Sequence, residues 1–307
     1  MLQTSGRAVA SAAPPAFVRR WLFVVAWLIA LMMLVGAAAR LAPDMDLARF
    51  KTILPGDSGH RLLERTIGVA FALPLVLFWL KGFVRDGLRG RLLVILALGA
   101  LQGFVGWWLE SSGLAGRTEG TQAWRALDPL LAALAFIAVL WTAEGLRPGF
   151  RDPMGRDARG FRFEAGLLLA LAFAQIGFGA LVAGAPAGLT FNIWPLTDGR
   201  FFPPAGEAFS LSPFWTNFFD NPVTMQFQHR MTASLIVLVS LFHAFHISRE
   251  RLARRAVRRA LVLAGLVVAQ AGLGAMAPAA PLPAALAHQA LAIGVLALAT
   301  IHRRKLG

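Results

Sequence analysis

Runs of apolar residues, each about 17 to 23 positions long, alternate with short polar or basic breaks along almost the whole chain. They lie near 21–40, 62–80, 92–109, 126–145, 163–183, 231–247, 260–277 and 284–301. A helix of that length crosses the roughly 30 Å hydrocarbon core of a bilayer, and a helix satisfies its own backbone polar groups there. The pattern therefore predicts an all-α, polytopic membrane protein with eight transmembrane helices. Composition agrees: 57% of residues are hydrophobic, 15% are charged, and mean hydropathy is +0.62. The first run lacks a small-residue cleavage site followed by a soluble domain, so it reads as a retained span. Cysteine is absent, which removes disulfides, thiolate chemistry, iron–sulfur clusters and thioether-linked heme; tyrosine is absent too. A tightly held metal or cofactor must lean on His, Met or carboxylates.

Charge changes the picture by giving the spans a direction. Net charge is +14, and 21 of the 30 Lys and Arg residues fall in 1–20, 81–91, 147–162, 249–259 and 303–305. These are alternate breaks, and positive-inside reasoning puts them, with both termini, in the cytoplasm of a bacterial inner membrane protein. Residues 1–20 then form a cytoplasmic tail. No soluble basic module or interleaved aromatic pattern accompanies the charge, so the lipid bilayer is the expected partner and nucleic acid is not.

The chain also repeats itself. "GHRLLERTIGVAFALPL" (59–75) and "QHRMTASLIVLVSLF" (228–242) place His60-Arg61 over His229-Arg230, and "LQGFVGWW" (101–108) over "AQAGLGAM" (269–276) places Gln102 over Gln270 and Gly106 over Gly274. Two pseudo-symmetric four-helix bundles, 21–150 and 151–307, follow, joined by a linker rich in Pro, Gly and Arg (144–164). In the last span of each half, Asp128 falls where the other half has His288.

His229 and His288 open the sixth and eighth spans, so they should lie at one depth. Two imidazoles facing each other in a bundle core suit a planar iron porphyrin with two axial ligands, and Arg230 can pair with a propionate. The competing reading is that each histidine is an interfacial or helix-capping group. His243 and His302 each follow by 14 residues, about 21 Å along a helix. That spacing permits a second heme, while their place beside basic termini favours interfacial side chains that snorkel.

Several stretches together resemble a known family. "GALVAGAPAGLTFNIWPLTDGRFFPP" (179–204), "NPVTMQFQHRM" (221–231), "HQALAIGVLAL" (288–298), "GHRLLERTIGVAFALPLVLFWLKG" (59–82) and "LQGFVGWWLESSGL" (101–114) are similar to the heme A synthases of bacterial and mitochondrial inner membranes. Asn192, Trp194, Pro195, Leu196, Asp198 and Gly199 form its most specific part. The resemblance implies conversion of heme O to heme A, a porphyrin methyl becoming a formyl group, for cytochrome oxidase assembly. It implies heme b in the second half on His229 and His288, with Arg230 beside it. Heme O as substrate would bind the first half through His60 and Arg61, with Asp57 and His60 as catalytic residues. A heme O synthase as supplier and an electron acceptor of unknown identity are implied partners.

Three departures fall on the first half. Asp57 stands where the family has glutamate, Asp128-Pro129 stands where it has a second histidine, and the loop 41–60 is short. Two functions remain open: a heme A synthase working with one substrate-side imidazole, or a non-catalytic heme b cytochrome or heme-handling accessory. A secondary transporter fits less well, because Gly/Pro breaks cluster at helix ends rather than at matching mid-span places. Asp57 also suits an ordinary turn, and Asp128-Pro129 reads as an N-cap with proline at the first helical position. Gln102 and Gln270 are expected to hydrogen-bond between helices, and the tryptophans at 107, 108, 124, 141 and 215 to form an interfacial belt. The outer loop 184–228, with Trp194, is expected to be an ordered lid.

Overall fold

The computed structural model describes residues 16–41, 59–84, 86–114, 122–149, 151–152, 158–184, 199–249, 254–276 and 282–307. At 39–41, 59–61 and 282 it describes the backbone alone. Asp57, the loop preceding it and Trp194 lie outside the described residues, and His60 and Arg61 are placed only as the first turn of a helix.

Eight helices are long and apolar enough to cross a membrane. They are α1 (Ala16–Leu41), α2 (Gly59–Leu80), α3 (Asp86–Ser111), α4 (Gln122–Gly145), α5 (Ala158–Gly184), α6 (Pro222–Ser248), α7 (Arg254–Met276) and α8 (Leu282–Lys305). The apolar runs locate every one, but several helices extend beyond their runs. The start of α6 is the largest case, because polar residues before 231 hide a capped first turn. Asn221 takes the N-cap position and its Oδ1 accepts from the amides of Val223 (2.9 Å) and Thr224 (3.4 Å), with Pro222 at the first helical position.

The structure corrects the reading of Asp128-Pro129. Helix α4 begins at Gln122, so Pro129 lies inside it and Asp128 is no N-cap. Proline there removes the amide that would bond the carbonyl of Arg125. Packing outweighs that loss, since Ala126, Pro129, Ala132, Ala133 and Phe136 make one buried face.

Helices α1 to α4 pack in order with α4 returning onto α1, and α5 to α8 pack in order with α8 returning onto α5. Between the two sets, α4 lies against α5 and α8, and α1 against α8. A single apolar core runs through this arrangement, including Leu22, Leu92, Val139, Leu168, Leu263 and Leu296. Helix α4 is the most embedded, with 56% of its apolar window buried, against 11% for α2.

The basic ends of the helices are tied together around the end of α8. Lys305 Nζ pairs with Glu144 of α4 at 2.9 Å, and the main chain of Lys305 accepts from the Asp152 amide at 2.8 Å. Asp152 in turn pairs with Arg259 of α7. Trp141 of α4 packs under the guanidinium groups of Arg303 and Arg304 at 5.8 and 5.1 Å. Its ring seats both cations by cation–π attraction.

At the opposite ends, residues 199–221 lead into the start of α6. Asn221 Nδ2 donates to the carbonyls of Glu207 (2.8 Å) and Ala208 (3.2 Å), and Asn217 Nδ2 to those of Leu211 (2.8 Å) and Phe214 (2.9 Å). Both asparagines are buried, and they knot the short helices Ala205–Ala208 and Asn217–Asp220 onto the start of α6.

Candidate imidazole site

His229 lies seven residues into α6 and His288 six residues into α8, both near the non-basic ends. Each is thus about two turns inside its helix rather than at its first residue. Both of their helices, α6 and α8, pack against α5 and α7. Each ring is met by a glutamine and a glycine from a neighbouring helix. Gln175 of α5 brings its Nε2 to 3.0 Å from His229 Nδ1 and donates to the His229 carbonyl at 3.0 Å. Gln270 of α7 brings its Nε2 to 3.2 Å from His288 Nε2.

One turn further along α5 and α7 the backbone comes right up to the rings. A methyl group at Gly179 would stand 3.2 Å from His229 Cε1, and one at Gly274 would stand 2.9 Å from His288 Cε1. A side chain at Gly274 would force the His288 ring to shift, and one at Gly179 would crowd the His229 ring more mildly. The Oε1 atoms of Gln175 and Gln270 and the Nδ1 of His288 are buried and have no hydrogen-bond partner among the described residues. Three unpaired polar atoms around two histidines are a costly arrangement for a structure to keep without use. Arg230, half-buried, follows His229 directly.

The first four helices carry a related glutamine and glycine, which meet other groups among the described residues. Gln102 of α3 is buried and donates to Met32 Sδ of α1 at 3.7 Å, a weak contact. Gly106, one turn on, faces Glu64 of α2, whose Oε1 would lie 3.7 Å from an added methyl. Asp128 Oδ1 is buried and unpaired among the described residues.

His243 and His302 differ from expectation. They do not snorkel: the residues are 1% and 0% exposed. Nor does a heme fit between them as they stand, since their Nε2 atoms are 2.8 Å apart. Two metal–imidazole bonds in line need about 4 Å. Burial and mutual hydrogen bonding win over snorkelling because Glu164 of α5 reaches in beside them, 2.7 Å from His243 Nδ1, and also bonds His246 Nδ1 at 2.7 Å.

The COX15-CtaA family, described as cytochrome oxidase assembly protein, matches residues 41–300. The chain belongs to this family. Among curated relatives, the heme A synthase of Beijerinckia indica subsp. indica is 48% identical over 236 residues, 77% of this chain and 66% of the relative. That of Agrobacterium fabrum is 45% identical over 230 residues, 75% of this chain and 62% of the relative. That of a Bradyrhizobium species is 40% identical over 300 residues, covering 84% of this chain and 82% of the relative. The chain thus spans just under two thirds of the length of the first two.

Within this family member, the sequence reading located both histidines and Gln270 but missed Gln175 and Gly179. A signal for them exists: "AQIGFGA" (174–180) and "AQAGLGA" (269–275) share Ala, Gln, both Gly and the final Ala in register. Comparing α5 with α7, rather than each half with the other, brings it out.

Proposed function

We propose that the chain is a heme A synthase, an inner-membrane oxidoreductase that converts heme O to heme A for cytochrome oxidase assembly. In this reading His229 and His288 are axial ligands of a resident heme b, and Arg230 neutralises a propionate. The basic helix ends and both termini face the cytoplasm, and the two halves, 21–150 and 151–307, are the substrate half and the heme b half.

The observation that carries the reading is the matched pair of glutamine–histidine contacts with their unpaired atoms. An axial histidine binds iron through one bare ring nitrogen while its other nitrogen carries hydrogen and donates outward. Here each glutamine has a spare carbonyl oxygen beside its histidine. Turning the Gln270 amide so that Oε1 accepts the His288 Nε2–H leaves His288 Nδ1, which has no partner among the described residues, bare for iron. Gln175 keeps its donation to the His229 carbonyl while its amide sits against His229 Nδ1. The residues present fit the group, and Gly179 and Gly274 hold the rings from behind.

A bis-imidazole heme supplies one-electron transfer when bound. Around it, Gln175 and Gln270 fix ring tautomer and orientation, and the outer loop knotted by Asn217 and Asn221 restricts water at that end of α6. On the substrate side, His60 and Arg61, in the first turn of α2, bind heme O through its iron and a propionate. Asp57, three residues earlier, accepts protons released as the methyl group is oxidised. A heme O synthase as donor, water as the source of the formyl oxygen and a separate acceptor for the four electrons released complete the scheme.

One observation favours a second reading, a heme b protein without catalysis: α4 offers Asp128 where a second substrate-side imidazole would stand, and Gln102 is spent on Met32. Co-expression with a source of heme O separates the two. Extracted pigment containing the hydroxylated or formyl heme supports the synthase; heme b alone, with heme O unchanged, supports the second reading. Absence of any bound heme overturns both.

A further inference from the structure

The cluster at the basic ends of α5, α6 and α8 belongs to neither heme reading, and its hydrogen bonds define its protons. Glu164 meets His243 Nδ1 through one oxygen and His246 Nδ1 through the other, each at 2.7 Å. An ionised carboxylate only accepts, so both Nδ1 atoms carry hydrogen. Neutral His243 then has a lone pair at Nε2, and the 2.8 Å contact with His302 Nε2 takes its hydrogen from His302. That leaves His302 Nδ1 as a bare lone pair. This atom is buried and has no partner among the described residues, on a side chain that is 0% exposed.

The surrounding charges are already committed. From α7, Arg259 is the cation that His302 feels, and it is paired with Asp152. From α4, Glu144 is paired with Lys305. Arg162 of α5 donates to the Leu306 carbonyl at 2.8 Å, and Arg303 of α8 to the Gly307 carbonyl at 3.2 Å. Among the described residues, the ion-pair partners of Glu164 are His243 and His246.

We propose that Glu164, His243 and His302 form a buried one-proton relay, filled from water at the basic end of the bundle. A proton binds the lone pair of His302 Nδ1. The His302 Nε2–H bond then breaks as a His243 Nε2–H bond forms, and the positive charge moves next to the Glu164 carboxylate. The cluster passes from one negative charge to neutrality. A second proton is excluded, because the facing Nε2 atoms have room for a single hydrogen between them. A metal ion does not fit as the occupant: two nitrogens on one tetrahedral ion stand about 3.3 Å apart at ordinary bond lengths. Among the described residues no group of three or more His, Asp or Glu is arranged to hold one. The inference stands whether or not heme binds elsewhere.

Nitrogen NMR on the full chain in lipid nanodiscs, labelled at its six histidines, tests it. The nitrogen–nitrogen coupling across the hydrogen bond identifies the two rings without any substitution. At alkaline pH His243 should show hydrogen on Nδ1 and His302 on Nε2. As pH falls, both rings should shift together with one midpoint and take up one proton between them. Glu164→Gln should abolish the shared midpoint. Reversed tautomers, two separate midpoints, no uptake before the protein unfolds, or stoichiometric zinc or copper lost in His302→Gln would each overturn the relay. Tautomers and midpoint are measured on the unmodified protein, so a poorly folding variant does not spare the proposal.

Discussion

Helices α3 and α7 present the same glutamine and glycine one turn apart, yet their surroundings differ. On α7, Gln270 and Gly274 frame His288; on α3, Gln102 reaches Met32 and Gly106 faces Glu64. A carboxamide buried in a bundle needs a partner, and among the described residues that of Gln102 is a thioether while that of Gln270 is a ring nitrogen. Under the proposed function, the contrast puts the bis-imidazole heme in the second four helices.

The sharpest way to break this contrast is to remove a ring. His229→Leu or His288→Leu should abolish the low-spin heme spectrum in purified protein, and a spectrum unchanged in both would sink the ligand assignment. Gly274→Ala comes next. Its added methyl meets His288 at 2.9 Å, so overpacking should cost about 1–3 kcal/mol in thermal or denaturant unfolding and weaken heme retention. Gly179→Ala, at 3.2 Å, should be milder. Gln270→Leu and Gln175→Leu should lower heme affinity about 10- to 100-fold, measured by heme titration, as loss of a ligand-orienting partner does elsewhere. Equal affinity would leave the glutamines merely structural. Gln102→Leu, whose amide loses only a weak bond to sulfur, should change unfolding by less than about 1 kcal/mol. A loss as large as that of Gln270→Leu would erase the difference between the halves.

Element identity could be read from the chain because apolar runs of this length have one stable solution in a bilayer. Boundaries were harder. The run beginning at 231 hides a turn capped by Asn221, and the acid–proline pair at 128 imitates a cap while sitting in the second turn of α4. The start of α6 is set by that local cap, and the helix through Pro129 by packing of its buried face. At the site, the sequence put His229 and His288 at the starts of their spans; in the structure each lies about two turns into its helix and meets a glutamine from a neighbouring helix. Gln175 escaped notice because its partner lies 54 residues away and its match is to α7, within the same half. His243 and His302 were misjudged for a related reason: position beside basic residues suggests an exposed ring, and only the third helix shows Glu164 turning inward to meet them.

Helix α4 bears on how the molecule is made. It is the most enclosed of the eight, and it touches α1 and α3, which precede it, and α5 and α8, which follow. During synthesis its small-residue face, with Ala132, Ala133, Ala135 and Ala143, must sit against acyl chains until the later helices leave the ribosome. Lipid solvates such a surface well enough for it to wait. Docking of α8 against α4, which pairs Lys305 with Glu144, then covers part of that surface.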